Sequence, residues 1–124
     1  MPSIDVVDET FLAVPRARVA DEFAVAARWP RLWPDLELEV VTDRGEQGFR
    51  WTVAGALVGS MEVWLEQVLD GTVVHYFLRA EPPGPMSPRR AAVEAGRRQR
   101  AAKAIALALK ARLEAGRAPG EPPV

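Results

Sequence analysis

The sequence predicts an α+β fold in which an antiparallel β-meander of about five strands wraps on one long C-terminal α-helix. Three observations predict it. Residues 87–116 form a run rich in Ala, Leu, Arg, Lys, Gln and Glu, the strong helix formers, with Ser87 as N-cap, Pro88 in the first turn and Gly116 just past the last. Residues 36–80 fall into β-branched and apolar runs broken by short turn signals, which is the signature of hairpins. Residues 3–14 form a further β-rich run closed by Pro15, after which the apolar period lengthens from two to three or four.

The first run, Ser3 to Val14, alternates imperfectly, so either Ile4, Val6, Asp8, Thr10 and Leu12 or the opposite set faces the interior. In the first case Asp8 and Thr10 are polar groups inside. From Arg16 to Arg28, Val19, Phe23 and Ala26 or Ala27 recur at helical spacing. Trp29-Pro30 stops that helix and Trp33-Pro34 confines the next segment to one short turn, giving a short helix pair after strand 1.

Four β-runs follow: Leu36 to Thr42, Gly48 to Val53, Leu57 to Val68 and Thr72 to Ala80. Asp70-Gly71 is a hairpin signal, and a two-residue turn there pairs Leu69 with Thr72. That register sets Glu62 against Arg79, Trp64 against Phe77 and Glu66 against His75 on one face, with Leu65 against Tyr76 and Val63 against Leu78 on the other. A loop at 54–56 pairs Trp51 with Gly59 and Phe49 with Met61, and a loop at 43–46 brings Leu38 and Val40 onto the same apolar face. The helix offers that face a stripe of Ala102, Ile105, Ala106, Leu109 and Leu113. Its first half, with Arg89, Arg90, Arg97, Arg98 and Arg100, reads as largely solvated. Residues 1–116 are thus expected to form one domain, with 81–86 a stiff linker into the helix and 117–124 a disordered Pro- and Gly-rich tail.

An apolar fraction of 48% in 124 residues is enough for a core without metal or disulfide support. The absence of cysteine excludes disulfides, thiol catalysis and cysteine metal cages, and fits a cytoplasmic location. Arg16, Arg18, Asp21 and Glu22 interrupt the first apolar run, so neither a signal peptide nor an integral membrane span is expected. The net charge of −1 hides an asymmetry: residues 1–86 hold 7 Arg against 14 Asp and Glu, whereas residues 87–117 hold 9 Arg and Lys against Glu94 and Glu114. The helix is the counter-charge to the body. A body so acidic repels phosphate, so nucleic acid is not an expected partner.

Catalytic candidates are few. His75 is the sole histidine, and the register places it on the wet face against Glu66, away from any apolar pocket. No Asp or Glu cluster has ligand spacing, and phosphate-loop and dinucleotide fingerprints are missing, so no catalytic residue, metal or cofactor is assigned. Trp64 and Phe77 form an aromatic pair on the wet face with a charged rim, the kind of patch through which a homodimer would form. The alternative is a cross-strand pair that merely covers the sheet.

The strand, the helix pair with Ala27-Arg28-Trp29-Pro30-Arg31-Leu32-Trp33-Pro34-Asp35, the meander segments Trp51 to Gly55, Gly59 to Glu62 and Gly71 to His75, and the long last helix together carry a resemblance. The chain resembles the START-like (SRPBCC) superfamily, and within it the actinobacterial polyketide cyclase/dehydrase and lipid-transport proteins. The resemblance implies a helix-grip fold and a cavity between sheet and C-terminal helix that takes a small hydrophobic molecule such as a lipid, isoprenoid or polyketide-like compound. The residues expected to line it are Trp51 beside the gap at Gly59, with Phe49, Met61, Val63, Tyr76 and Leu78 on the sheet and Ile105 and Leu109 on the helix. Trp29 and Trp33 stand either at its mouth or in the core. Two alternatives remain: a polyketide cyclase or dehydratase using the same cavity, favoured by a polar cluster of Tyr76 with Asp8 or Thr10, and a protein-interaction module whose core is filled. The meander has fewer strands than is common in this group, which leaves the cavity small, open at one edge or completed by a partner chain.

Overall fold

A computed structural model of the protein describes residues 2–114. The expected cap at Gly116 and the tail at 117–124 lie outside the described residues. The chain runs β1 (Ile4–Leu12), α1 (Arg16–Ala24), a 3-10 turn, α2 (Trp29–Leu32), β2 (Leu36–Asp43), β3 (Gly48–Gly55), β4 (Val58–Val68), β5 (Gly71–Glu81) and α3 (Pro88–Glu114). Five antiparallel strands form one sheet in the order β1-β5-β4-β3-β2, so the first strand closes beside the last. The fold is the expected helix-grip α+β arrangement. Helix α3 begins where its cap chemistry places it: Ser87 Oγ accepts the Arg90 N–H at 3.2 Å, and Pro88 opens the helix.

The β4–β5 and β3–β4 registers each differ from expectation by two residues, and the β2–β3 hairpin, expected to turn at 43–46, keeps Asp43 in the strand opposite Phe49 and Val40 opposite Trp51. The β4–β5 turn is Leu69-Asp70, so Val68 faces Gly71, Glu62 faces Phe77, Trp64 faces His75 and Glu66 faces Val73. Leu69 takes the left-handed turn position at φ 54°. Gly71 is needed inside the strand, because a Cβ there would lie 2.3 Å from the Leu12 carbonyl oxygen and 2.6 Å from the Phe11 ring. In the β3–β4 hairpin Trp51 faces Met61, Phe49 faces Val63 and Gly59 faces Val53. The gap expected beside Trp51 is therefore not formed. Gly59 instead admits β5, since a Cβ at this residue would meet Arg79 O at 2.1 Å.

A slip of two keeps every side chain on its own face. The apolar face stays inward, with Trp51, Met61, Val63, Leu65 and Leu78 fully buried. In β1 the set Ile4, Val6, Asp8, Thr10 and Leu12 is the inward one. Strand β2 is an open edge carrying a bulge between Val40 and Thr42, and both Val40 and Val41 are exposed.

The opposite edge, β1, is sealed by α3. Gln99 Nε2 donates to Val7 O at 2.7 Å, Lys103 Nζ to Glu9 O at 3.0 Å and Lys110 Nζ to Phe11 O at 3.0 Å, while Ala13 N donates to Glu114 at 2.8 Å. Residues 7, 9, 11 and 13 are alternate positions of an edge strand, whose outward backbone groups would otherwise be free to pair with another chain. The first half of α3 is not simply solvated, contrary to expectation: Ala91 and Arg98 are buried. Arg98, one turn before Ala102, extends the inner stripe with a cation because Asp35 is there to receive it.

Candidate functional site

Inside the grip, Asp8, Phe23, Trp33, Val63, Val74, Tyr76, Ala102, Ile105 and Ala106 line a cavity of about 10 Å³, the room of about one water molecule. Of the expected lining, Trp33, Val63, Tyr76 and Ile105 meet here. Trp29, Phe49 and Trp51 form an aromatic cluster against Trp33, with Met61 opposite Trp51, and none of the four lines the cavity. The rings pack edge-on and stacked, with Trp29 5.4 Å and Trp33 5.6 Å from Trp51, and Phe49 5.7 Å from Trp51. Leu78 and Leu109 are buried in the core away from the cavity, and Gly59 lies toward the far end of the sheet.

The polar groups of this region come from β1 and β5. Asp8 and Tyr76 are directly opposed across the strand pair. Asp8 is 6% exposed; its carboxylate accepts from Thr10 Oγ1 at 3.1 Å and pairs with Lys103 Nζ at 3.0 Å. Lys103 also donates to Thr10 at 2.7 Å, so with Glu9 O its three N–H bonds are all used. Tyr76 stacks on Trp33, ring centroids 6.4 Å apart, and donates its hydroxyl to Met61 Sδ at 3.1 Å. Burial pushes the phenol pKa far above its ordinary value, against the smaller opposing effects of the Arg98 charge and a hydrogen bond with Trp33. Tyr76 thus keeps its proton and is a hydrogen-bond donor at every physiological pH. Among the described residues, buried Trp51 Nε1 and Arg16 Nε have no hydrogen-bond partner.

From α3, Arg98 places its guanidinium on both Asp35 oxygens at 2.9 and 2.6 Å and on Glu94 at 3.2 Å. The Arg98 hydrogen bond holds the Asp35 carboxyl below the usual range, and Arg112 does the same for Glu22 on α1. Asp35, Arg98 and Lys103 were not among the expected site residues, and Asp8 belonged only to the enzyme alternative. Arg98 was detectable, because it continues the spacing of Ala102, Ala106, Leu109 and Leu113 by one turn; Asp35 gives no such signal.

The outer face also differs from the expected pairing. Trp64 stacks on His75 at 4.3 Å, and Phe77 lies 6.5 Å from His75 in a parallel plane, so the pair becomes a Trp64–His75–Phe77 stack. His75 is buried there rather than a loose surface pair, with Nε2 3.0 Å from Glu66 and Nδ1 3.4 Å from Glu9. Glu62 pairs with Arg44, and Arg79 lies 3.9 Å from Asp5. Among the described residues no group of three or more His, Asp and Glu side chains is placed to hold a metal, and no helix is long and apolar enough to cross a membrane.

No family model matches the chain, and no curated protein matches it in sequence. Solved structures do match in shape. The Aha1 dimer from Colwellia psychrerythraea superposes with a TM-score of 0.66 at 14% identity, covering 93% of this chain and 99% of that one. TTHA0849 from Thermus thermophilus gives 0.60 at 16% identity, over 92% and 99% of the two chains. DynU16, from the dynemicin biosynthetic locus, gives 0.57 at 15% identity, over 93% of this chain and 48% of that one. At such identities the likeness is one of fold, and it is the helix-grip, START-like fold.

Proposed function

We propose that the chain binds a small hydrophobic molecule, of the lipid, isoprenoid or polyketide-like kind, between the sheet and α3, with α3 as the lid. The observation that supports this reading is the way α3 is fastened. Over the cavity its inner face is Ala102, Ile105 and Ala106, and the two alanines interdigitate little. Farther along, Leu109 and Leu113 are buried in the core, and the remaining ties are polar: Arg98 to Asp35, Arg112 to Glu22, Lys103 to Asp8 and Glu114 to Ala13. The alanines over the cavity offer less packing to part than the half of α3 that carries Leu109 and Leu113. The present room is about 10 Å³, so uptake requires α3 or Trp33 to move. The resemblance to the actinobacterial lipid-transport and polyketide cyclase branch favours the same class of ligand. Asp8, a carboxylate on the wall, is engaged by Lys103 and Thr10, so the wall offers contacts rather than an acid or base, and binding is preferred to turnover.

Native mass spectrometry of protein from its own host, followed by organic extraction, tests this. One hydrophobic molecule per chain, lost in Ala106→Phe, is the expected result. Bare protein that takes up no added lipid refutes it.

A second reading, association of two copies through the outer face, is favoured by the Trp64–His75–Phe77 stack and by exposed Val7 beside it. The Colwellia protein of similar fold is described as a dimer. Trp64→Ser with Phe77→Ser should turn a dimer into a monomer in sedimentation velocity. A wild type that sediments as a monomer at high concentration excludes it.

A further inference from the structure

We propose that the ligand carries a neutral carbonyl oxygen, and that Trp51 Nε1–H and Tyr76 O–H are the two donors that recognise it. This rests on the cavity reading above and specifies the chemistry of that site.

Trp51 has no exposed surface, and its Nε1 meets no acceptor. An orphaned N–H in a core is rare, because the group gives up water and gains nothing. Tyr76 is nearly as deep; its hydroxyl hydrogen-bonds with Trp33, and its one proton goes to a thioether sulfur, Met61 Sδ, which is a weak acceptor. A core built only to be filled would give both donor protons a good acceptor.

The two donors flank one residue. Met61 lies opposite Trp51 on the neighbouring strand and receives the Tyr76 hydroxyl. Trp33 touches both rings, with centroids 5.6 Å from Trp51 and 6.4 Å from Tyr76. Trp33 is also part of the cavity wall. It follows α2 directly and precedes Pro34 in the short connection to β2, so its ring can shift without disturbing a strand. Displacement of that ring joins the cavity to both donors.

The ligand class follows from what the donors need. A pure hydrocarbon satisfies neither. A carbonyl oxygen has two lone pairs and can take one N–H and one O–H together. A carboxylate would add a second negative charge beside Asp8, whose cationic partner Lys103 is already engaged by Asp8, Thr10 and Glu9 O, which favours a ketone, ester or lactone over an acid.

The test compares 2-acetylnaphthalene with 2-ethylnaphthalene, two fluorescent probes of nearly equal shape that differ in the carbonyl. Binding is measured by titration for the wild type, Trp51→Phe and Tyr76→Phe, each of which removes a donor and keeps a ring; far-UV circular dichroism checks that the variants fold. The wild type should prefer the ketone by about 10-fold or more, each variant should lose roughly 3-fold of that preference, and the double variant should lose all of it. Equal affinity for the two probes overturns the proposal and leaves the cavity intact. A ketone preference that survives both substitutions overturns the assignment of the donors. Failure of both probes to bind the wild type refutes the cavity reading and this one with it.

Discussion

The Arg98–Asp35 pair should be asymmetric, and the asymmetry can be worked out from exposure. The Arg98 side chain is 6% exposed and that of Asp35 is 40% exposed. Asp35→Asn keeps the shape but leaves a buried guanidinium with Glu94, at 3.2 Å, as its remaining carboxylate. Breaking a fully buried pair from one side costs roughly 3–5 kcal/mol; Glu94 and the wet side of Asp35 reduce that to about 2 kcal/mol. Arg98→Met leaves the charge on Asp35, where water can reach it, and fills the site with apolar volume, so it should cost about 1 kcal/mol or less. Urea denaturation near neutral pH measures both, as midpoint shifts at constant slope. For a chain of this size Asp35→Asn should lower Tm by about 8 °C.

The same pair has a pH signature. The Arg98 hydrogen bond depresses the folded pKa of Asp35, so its contribution is present above the unfolded value and is lost as pH falls through the folded one. The stability difference between wild type and Asp35→Asn should be flat near neutrality and shrink below about pH 4. An Asp35→Asn protein as stable as wild type, or less affected than Arg98→Met, refutes the reasoning.

Three further outcomes follow from the close approaches and the sealed edge. Gly71→Ala should force β1 away from β5, because its Cβ would lie 2.3 Å from Leu12 O, and a thermal melt should register a loss of at least about 2 kcal/mol. Gly59→Leu should fail to fold rather than fill a gap, since even its Cβ would sit 2.1 Å from Arg79 O; soluble, cooperatively melting protein would contradict this. Lys103→Met removes the cation from buried Asp8 and a donor from Glu9 O, and should cost about 1–3 kcal/mol while speeding amide exchange along β1. Unchanged exchange there would mean that α3 does not seal that edge.

The elements and faces were legible in the sequence, because both rest on local periodicity. Ser87 and Pro88 start α3 as read, and the inward set of β4 and β5 survives a register slip of two. The registers themselves were not legible. Asp70-Gly71 has the composition of a turn, but the glycine is used for the approach of Leu12 and Phe11 from the other end of the chain, and no local rule contains that contact. The inner face of β1 was ambiguous for a related reason. Asp8 and Thr10 are tolerable inside only because Lys103, far along the sequence, reaches them.

By itself, then, the sequence determined which segments are strands and helices, which face of β3, β4 and β5 is apolar, and that a charged helix balances an acidic body. Those properties depend on neighbours within a few positions, where period, caps and prolines act. Only the tertiary structure decided which residues oppose one another, that Asp35 receives Arg98, and that the indole of Trp51 lies buried without an acceptor beside the ring of Trp33. Those depend on distances between segments remote in the chain, which packing sets and local pattern does not.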